Sequence, residues 1–208
     1  LYNITMLNDD NILDEVTVNK KRKTIQKSYF KTQNIINVSS DELLKAACCN
    51  ISESFETNPS IDVNYSNAVT GVKQVKMLGL ESPYLLITEE NIPMIRGASQ
   101  VYGLSFIPGT WVESMQITKG SGSVVNGFES ISGQINVELK KPYSDTPFFV
   151  NVYSNNMGRN EVNIHGNKII NDKLSTGLYL HANKNTSIND KNNDGFLDNP
   201  TSNAFNIF

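Results

Sequence analysis

Two alternating stretches frame the middle of the chain. In residues 115–119 and 133–140 apolar and polar side chains take turns, and in the second Ile135, Val137 and Leu139 are set against Gln134, Asn136, Glu138 and Lys140. That period of two predicts strands with one face in a core and the other wet. Between them, Gly120, Gly122, Gly127 and Gly133 are separated by Ser121, Ser123, Ser130 and Ser132, which predicts a compact, turn-rich connection.

Upstream the pattern changes period. Residues 35–38 read as a short strand, and Ser39 with Glu42 three positions on gives a capping-box signature for a helix carrying Leu43, Leu44 and Ala47. Asn50 and Glu53 repeat that logic for a second short helix, with Ile51 and Phe55 on one face and Pro59 beyond its end. Residues 61–65 and 72–78 follow as strands, the latter ending at Gly79, and residues 84–88 make a further strand before a Glu89-Glu90-Asn91 turn into Ile92 and Pro93. From 94 to 108 no period survives. Arg96, Gln100 and Tyr102 there suggest an exposed loop that contacts something, a solvated connector being the plainer alternative.

After Pro142, Phe148, Val150 and Val152 alternate with Phe149, Asn151 and Tyr153, and Val162 and Ile164 with Glu161, Asn163 and His165. Leu174, Leu178 and Leu180 continue the series beyond a tight turn at Asn171-Asp172. Segments of about ten residues, apolar on one side and polar on the other, are the signature of transmembrane barrel strands, although a soluble antiparallel sheet carries the same alternation.

Composition narrows the classes. Across 208 residues, 38% hydrophobic and 19% charged residues suffice for a real core, and a formal charge of −3 lacks the basic footprint of a nucleic-acid binder. No apolar run approaches the roughly 18–20 residues of a spanning helix. The alternating residues 1–6 read as the end of an upstream domain, and 1–12 as its tail or a linker. Next, Leu13, Asp14, Glu15, Val16, Thr17 and Val18 form a β-prone hexapeptide ahead of the basic run Lys20, Lys21, Arg22 and Lys23, either an exposed segment for strand addition or a flexible linker.

Candidate chemistry is sparse. Cys48 and Cys49 are neighbours, which suits packing beside Ala46 and Ala47 better than a bridge or a soft-metal relay. Asp190, Asn192, Asp194 and Asp198 surround Gly195 as an EF-hand loop begins, but the twelfth position is Thr201. A hard cation, calcium, could be held weakly there, and a plain turn-rich loop is the alternative. His165 and His181 sit singly on strands as polar inward-facing residues. Lys119 precedes the glycines instead of following them, so the connection is no phosphate loop, and no nucleophile and base share a motif.

The segment VESMQITKGSGSVVNGFESISGQINV, residues 112–137, resembles the end of the plug domain of TonB-dependent outer-membrane receptors. There an I-E-R-I-E-V-x-K-G segment runs into G-x-x-A-x-G-G-x-I-N. Val112, Glu113, Ile117, Lys119, Gly120, Ser123, Gly127, Gly133, Ile135 and Asn136 fall on family positions, while Gln116 replaces a Glu, Gly122 a small residue after a Pro, and Ser132 a Gly. The upstream order of strand, two helices ending in Asn-Pro, and a strand ending in glycine is similar too.

The resemblance implies an α+β plug domain, a small mixed sheet with short helices, over residues 35–142, followed over 143–208 by antiparallel strands of a transmembrane β-barrel. It implies a transporter fragment and no enzyme, the plug occluding a pore of about 22 strands and gating uptake of a scarce ligand such as a ferric siderophore or other metal chelate. Residues 13–18, within a 13–34 linker, would be the box captured by TonB and its inner-membrane energising complex through strand addition. Arg96, Gln100 and Tyr102 would face the substrate. The location implied is the bacterial outer membrane, with the barrel against lipid, the plug in its lumen and the TonB-box-like segment in the periplasm. A secreted or surface β-rich binding module with a cation-stabilised loop is the competing reading.

Overall fold

The structure is a computed structural model that describes residues 25–27, 34–45, 50–55, 61–65, 73–122, 124–198 and 201–208. The alternation around Ile135 becomes β8 (Gly133–Leu139), hydrogen-bonded on one side to β7 (Val112–Lys119) and on the other to β5 (Leu85–Glu89). β7 is antiparallel to β8, placing Ile117 opposite Ile135 and Met115 opposite Val137, whereas β5 runs parallel to β8 with Ile87 opposite Ile135. The outer strands are β1 (Ile25–Lys27) and β2 (Asn34–Ser39) beside β7, and β6 (Ile92–Ile95) beside β5. The resulting six-stranded order is β1-β2-β7-β8-β5-β6, and it reaches into the stretch expected as a linker.

Ile117, Ile135, Val137, Leu86 and Val75 are all buried, but the second face of the sheet is not wet as the alternation predicts: Asn136 is buried, and so are the four successive residues Leu85, Leu86, Ile87 and Thr88 of β5. Removing each such aliphatic side chain from water contributes roughly 1.5–3 kcal/mol. Val75 lies in a separate two-stranded ribbon, β3 (Asp62–Tyr65) with β4 (Lys73–Lys76). Leu78 and Gly79 then turn with positive φ of 53° and 78°.

Of the two α-helices among the described residues, the second is capped as its sequence predicts. α2 (Ile51–Ser54) starts at Asn50, whose Oδ1 accepts the Glu53 amide at 3.2 Å, and it inserts Ile51 and Phe55 into the core. The first, α1 (Ser40–Lys45), buries Leu43 but does not form the expected capping box. Ser39 belongs to β2, opposite Ser114, and its Oγ is buried with no hydrogen-bond partner among the described residues. Strand pairing has claimed the residue that the local pattern assigned to the cap. Ala47, Cys48 and Cys49 lie outside the described residues.

The remaining strands form an antiparallel meander: β9 (Phe148–Ser154), β10 (Arg159–Asn171), β11 (Leu174–Asn185) and β12 (Ser202–Ile207). A two-residue turn joins β10 to β11, with Asn171 Oδ1 accepting the Lys173 amide at 3.0 Å. At 13 and 12 residues, β10 and β11 exceed the roughly 9–11 a tilted strand needs to cross a bilayer. Among the described residues no helix is long and apolar enough to cross a membrane.

Burial on this meander is inverted relative to a water-soluble sheet. Asn163 and His165 are 1% and 0% exposed, against 49% for Val150 and 68% for Val152. The polar face lies toward the mixed sheet and its loops, and the aliphatic face points outward.

Candidate functional site

The polar face of β10 and β11 meets the mixed-sheet body along a seam. Near the linker, Asp145 gathers several groups: His165 Nε2 lies 2.9 Å from its Oδ2, Asn167 Nδ2 donates to the same oxygen at 3.0 Å, and Lys140 Nζ is 3.7 Å from Oδ1. The His165 ring is stacked between Phe149 at 4.6 Å and Tyr179 at 4.7 Å. Tyr179 in turn packs edge-on against Trp111 at 6.1 Å, and the Asn167 amide donates to Pro147 O at 2.8 Å. The chain leaving the mixed sheet is thus fastened to the wall it enters.

Further along β10, Thr110 Oγ1 donates to Asn163 Oδ1 at 3.0 Å, and His181 Nδ1 stands 2.7 Å from the same oxygen. Asn163 Nδ2 donates to Glu161 Oε1 at 2.8 Å. At the far end Arg159 grips Glu53 with two nitrogens at 3.2 and 2.8 Å, while Glu53 also meets Lys73 at 3.7 Å and Arg159 meets Glu161 at 3.7 Å. Pairing is what permits most of this polarity to be buried, while His165 Nδ1 is buried with no hydrogen-bond partner among the described residues. His165 and His181, expected as inward-facing polar residues, hold those positions.

The loop expected to face a substrate is more ordered than its sequence implies. Residues 94 and 95 continue β6, and short 3-10 turns follow at Gly97–Val101, Gly103–Ser105 and Gly109–Trp111. Arg96 and Tyr102 are exposed, but Gln100 is not: it is 4% exposed and its Nε2 donates to Leu85 O at 2.8 Å. The amide satisfies a backbone carbonyl at the start of a buried strand, a demand invisible to local sequence. Arg96 Nε meets the buried Glu129 at 3.0 Å and so ties this loop to the glycine-rich connection.

Two charged groups sit at the opposite end of the sheet. Burial and the neighbouring Glu90 push the Glu89 carboxyl above the usual carboxylate range. A hydrogen bond and charge attraction from Glu90 raise the exposed Lys141 ammonium.

The oxygens of the 190–198 loop are directed to the loop itself. Asp190 accepts the amides of Asp194 and Gly195 at 3.2 and 3.0 Å, Asp194 accepts that of Phe196 at 2.8 Å, and Asp198 that of Lys191 at 3.0 Å. Asn192 donates to Asp194 at 2.8 Å. Among the described residues no three His, Cys, Asp or Glu side chains converge in a way that could hold a metal ion. Residues 13–18 lie outside the described residues.

A small mixed sheet with short helices, joined through a buried polar seam to antiparallel strands that turn their aliphatic side outward, defines a plug domain with barrel wall strands. The family model described as TonB-dependent Receptor Plug Domain matches residues 28–134. The chain belongs to the TonB-dependent receptor plug family.

Solved receptors share the fold. The ferric-catecholate import receptor Fiu of E. coli K12 is 16% identical with a TM-score of 0.61, over 78% of this chain and 23% of that one. FpvA of P. aeruginosa, solved with heterologous pyoverdines, is 16% identical with a TM-score of 0.66, over 79% and 22%. The siderophore receptor PiuA of Acinetobacter baumannii is 16% identical with a TM-score of 0.59, over 77% and 22%. The chain therefore spans under a quarter of the length of these receptors. No curated protein matches it significantly.

Proposed function

We propose that the chain is the plug and opening wall strands of a TonB-dependent outer-membrane transporter that takes up a scarce ligand such as a ferric siderophore or another metal chelate. The observation that carries this reading is the inverted burial of β9–β11, with Glu161, Asn163, His165 and His181 turned toward the plug and Val150, Val152, Val162, Ile164 and Leu178 turned out. A lipid-facing wall accounts for both faces at once; a secreted module would leave that aliphatic surface in water. The ligand class is suggested by the solved relatives: a ferric-catecholate import receptor, a receptor bound to an iron–pyoverdine complex and a siderophore receptor.

In this reading the plug sits in the barrel lumen, and residues 13–18 reach the periplasm and pair with TonB by strand addition. Force delivered there from the inner membrane rearranges the plug and opens a path. Arg96 and Tyr102 are the side chains of the 94–108 loop offered to a ligand, and no residue is assigned a catalytic role.

The test is uptake of radiolabelled ferric chelates by iron-starved cells carrying the full-length receptor, with and without TonB. Accumulation that requires both supports the reading. Accumulation of no chelate, or accumulation indifferent to TonB, overturns it.

A further inference from the structure

The seam holds the plug at its two ends, with the hydrogen bond from Thr110 to Asn163 between them. One is the linker, where Asp145, Thr146 and Pro147 bind Asn167 and His165 on β10. The other is Arg159, eight residues before Asn167 on the same strand, which at the rise of an extended chain is about 26 Å from it. The linker is also covalent, so the plug cannot leave the wall at that end. At the other end, among the described residues, plug and wall meet in the two-nitrogen grip of Arg159 on Glu53.

Glu53 is well placed to transmit a restraint. It lies on α2, whose Ile51 and Phe55 are fully buried in the plug core, and the Ile51 amide donates to Ile107 O at 3.1 Å. Holding Glu53 therefore holds the core. The grip is only partly screened, with side-chain exposures of 24% for Arg159 and 16% for Glu53. Planar two-point pairing of guanidinium with carboxylate also fixes an angle, which a single ammonium contact does not.

We propose that Glu53–Arg159 is a latch: a releasable ion pair that keeps the far end of the plug against the wall, so that breaking it lets the plug swing on its linker and opens the pore. It builds on the transporter reading above, but concerns leakage through the pore and not the identity of the ligand. Lys73 and Glu161 flank the pair and give each partner an alternative once the latch parts, since Lys73 already meets Glu53 and Glu161 already meets Arg159. Neither charge is stranded on release, which keeps the open state accessible.

The same flanking charges decide the experiment. Exchanging the two residues would set an arginine beside Lys73 and a glutamate beside Glu161, so the useful variants are neutral: Glu53→Gln, Arg159→Gln and the double substitution, in the full-length receptor. Single-channel conductance of the purified protein in planar bilayers in potassium chloride reads leakage without TonB or ligand. A failure of the chelate-uptake reading would leave this measurement standing. Each single variant is expected to raise open probability roughly tenfold, and the double variant to match a single one, because the same contact between plug and wall is lost in every case. Arg159→Lys, keeping the charge without the fork, should fall between wild type and Arg159→Gln.

Effects that multiply in the double variant, or single variants as tight as wild type, would overturn the latch. Heat-modifiable migration of the folded barrel shows that each variant is assembled. Should Arg159→Gln fail to assemble, Glu53→Gln against Arg159→Lys carries the same comparison.

Discussion

Asn136 and Asn91 are joined by a single hydrogen bond of 2.8 Å that gives the Ile-Asn ending of the glycine-rich segment its structural meaning. Asn136 Oδ1 accepts the Asn91 amide and also the Thr88 hydroxyl at 2.8 Å. Glu90 and Asn91 carry positive φ of 51° and 63°, so β5 and β6 are joined by a tight turn of left-handed residues. The side chain on β8 therefore fixes a turn 45 residues earlier.

Asn136→Ala is expected to destabilise the plug by about 1–3 kcal/mol, chiefly the cost of depriving the buried Thr88 hydroxyl of its close acceptor. Amide exchange should accelerate first at Asn91. Hydrogen exchange read by mass spectrometry on the full-length receptor checks this, and unchanged protection over residues 88–93 would contradict it.

Gly133 starts β8 where no side chain fits. A Cβ there would press on Met77 Sδ and lie 2.6 Å from Thr118 O. Gly133→Ala should cost about 1–3 kcal/mol through overpacking. Met77→Ala in the same chain should restore only part of it, since the Thr118 carbonyl is backbone. Chemical denaturation of the plug, followed by protease accessibility, gives the comparison.

Arg96 and Glu129 make an asymmetric pair, the arginine half-exposed and the glutamate buried. Arg96→Ala should cost about 1–2 kcal/mol, less than for a fully buried pair because solvent reaches the carboxylate once the arginine is gone. Glu129→Gln in addition should recover most of that loss. If the double variant were less stable than Arg96→Ala, the pair would not be what binds the 94–108 loop to the glycine-rich connection.

Strand addition to TonB depends on backbone donors and acceptors, so Val16→Pro, which removes an amide hydrogen and fixes φ, should abolish uptake while ligand binding persists. Val16→Ala should be mild. Transport at the wild-type rate by Val16→Pro at normal surface levels would place the TonB contact elsewhere.

For the 190–198 loop, oxygens already spent on the loop's own amides leave a cation few ligands. Calcium binding to the full-length receptor is expected to be no tighter than roughly 0.1–1 mM, the range of weak extracellular sites. Calorimetry on wild type and on Asp190→Asn with Asp194→Asn tests it. Equal binding by the two would assign the ion to other residues.

Local sequence is enough to mark whatever repeats along a few neighbouring residues. The alternation at Ile135, Val137 and Leu139 marked a strand and its core face, Asn50 and Glu53 marked a helix start, and Val150, Val152, Val162 and Ile164 marked one face of a wall, because strand and helix periods are set locally by backbone geometry. The ordered match around Lys119 to Asn136 carried the family. Tertiary structure alone decided which local option won and which distant groups met. Ser39 could cap a helix or finish a strand, and pairing with Ser114 made it a strand end. Gln100 could face solvent, but the carbonyl of Leu85 needed a donor. Nothing within a window of sequence relates Glu53 to Arg159, 106 positions apart, or sets β5 parallel to β8. Those pairings exist because closing the sheet and seating it against the strands brings charges and backbone edges into a space where water cannot satisfy them.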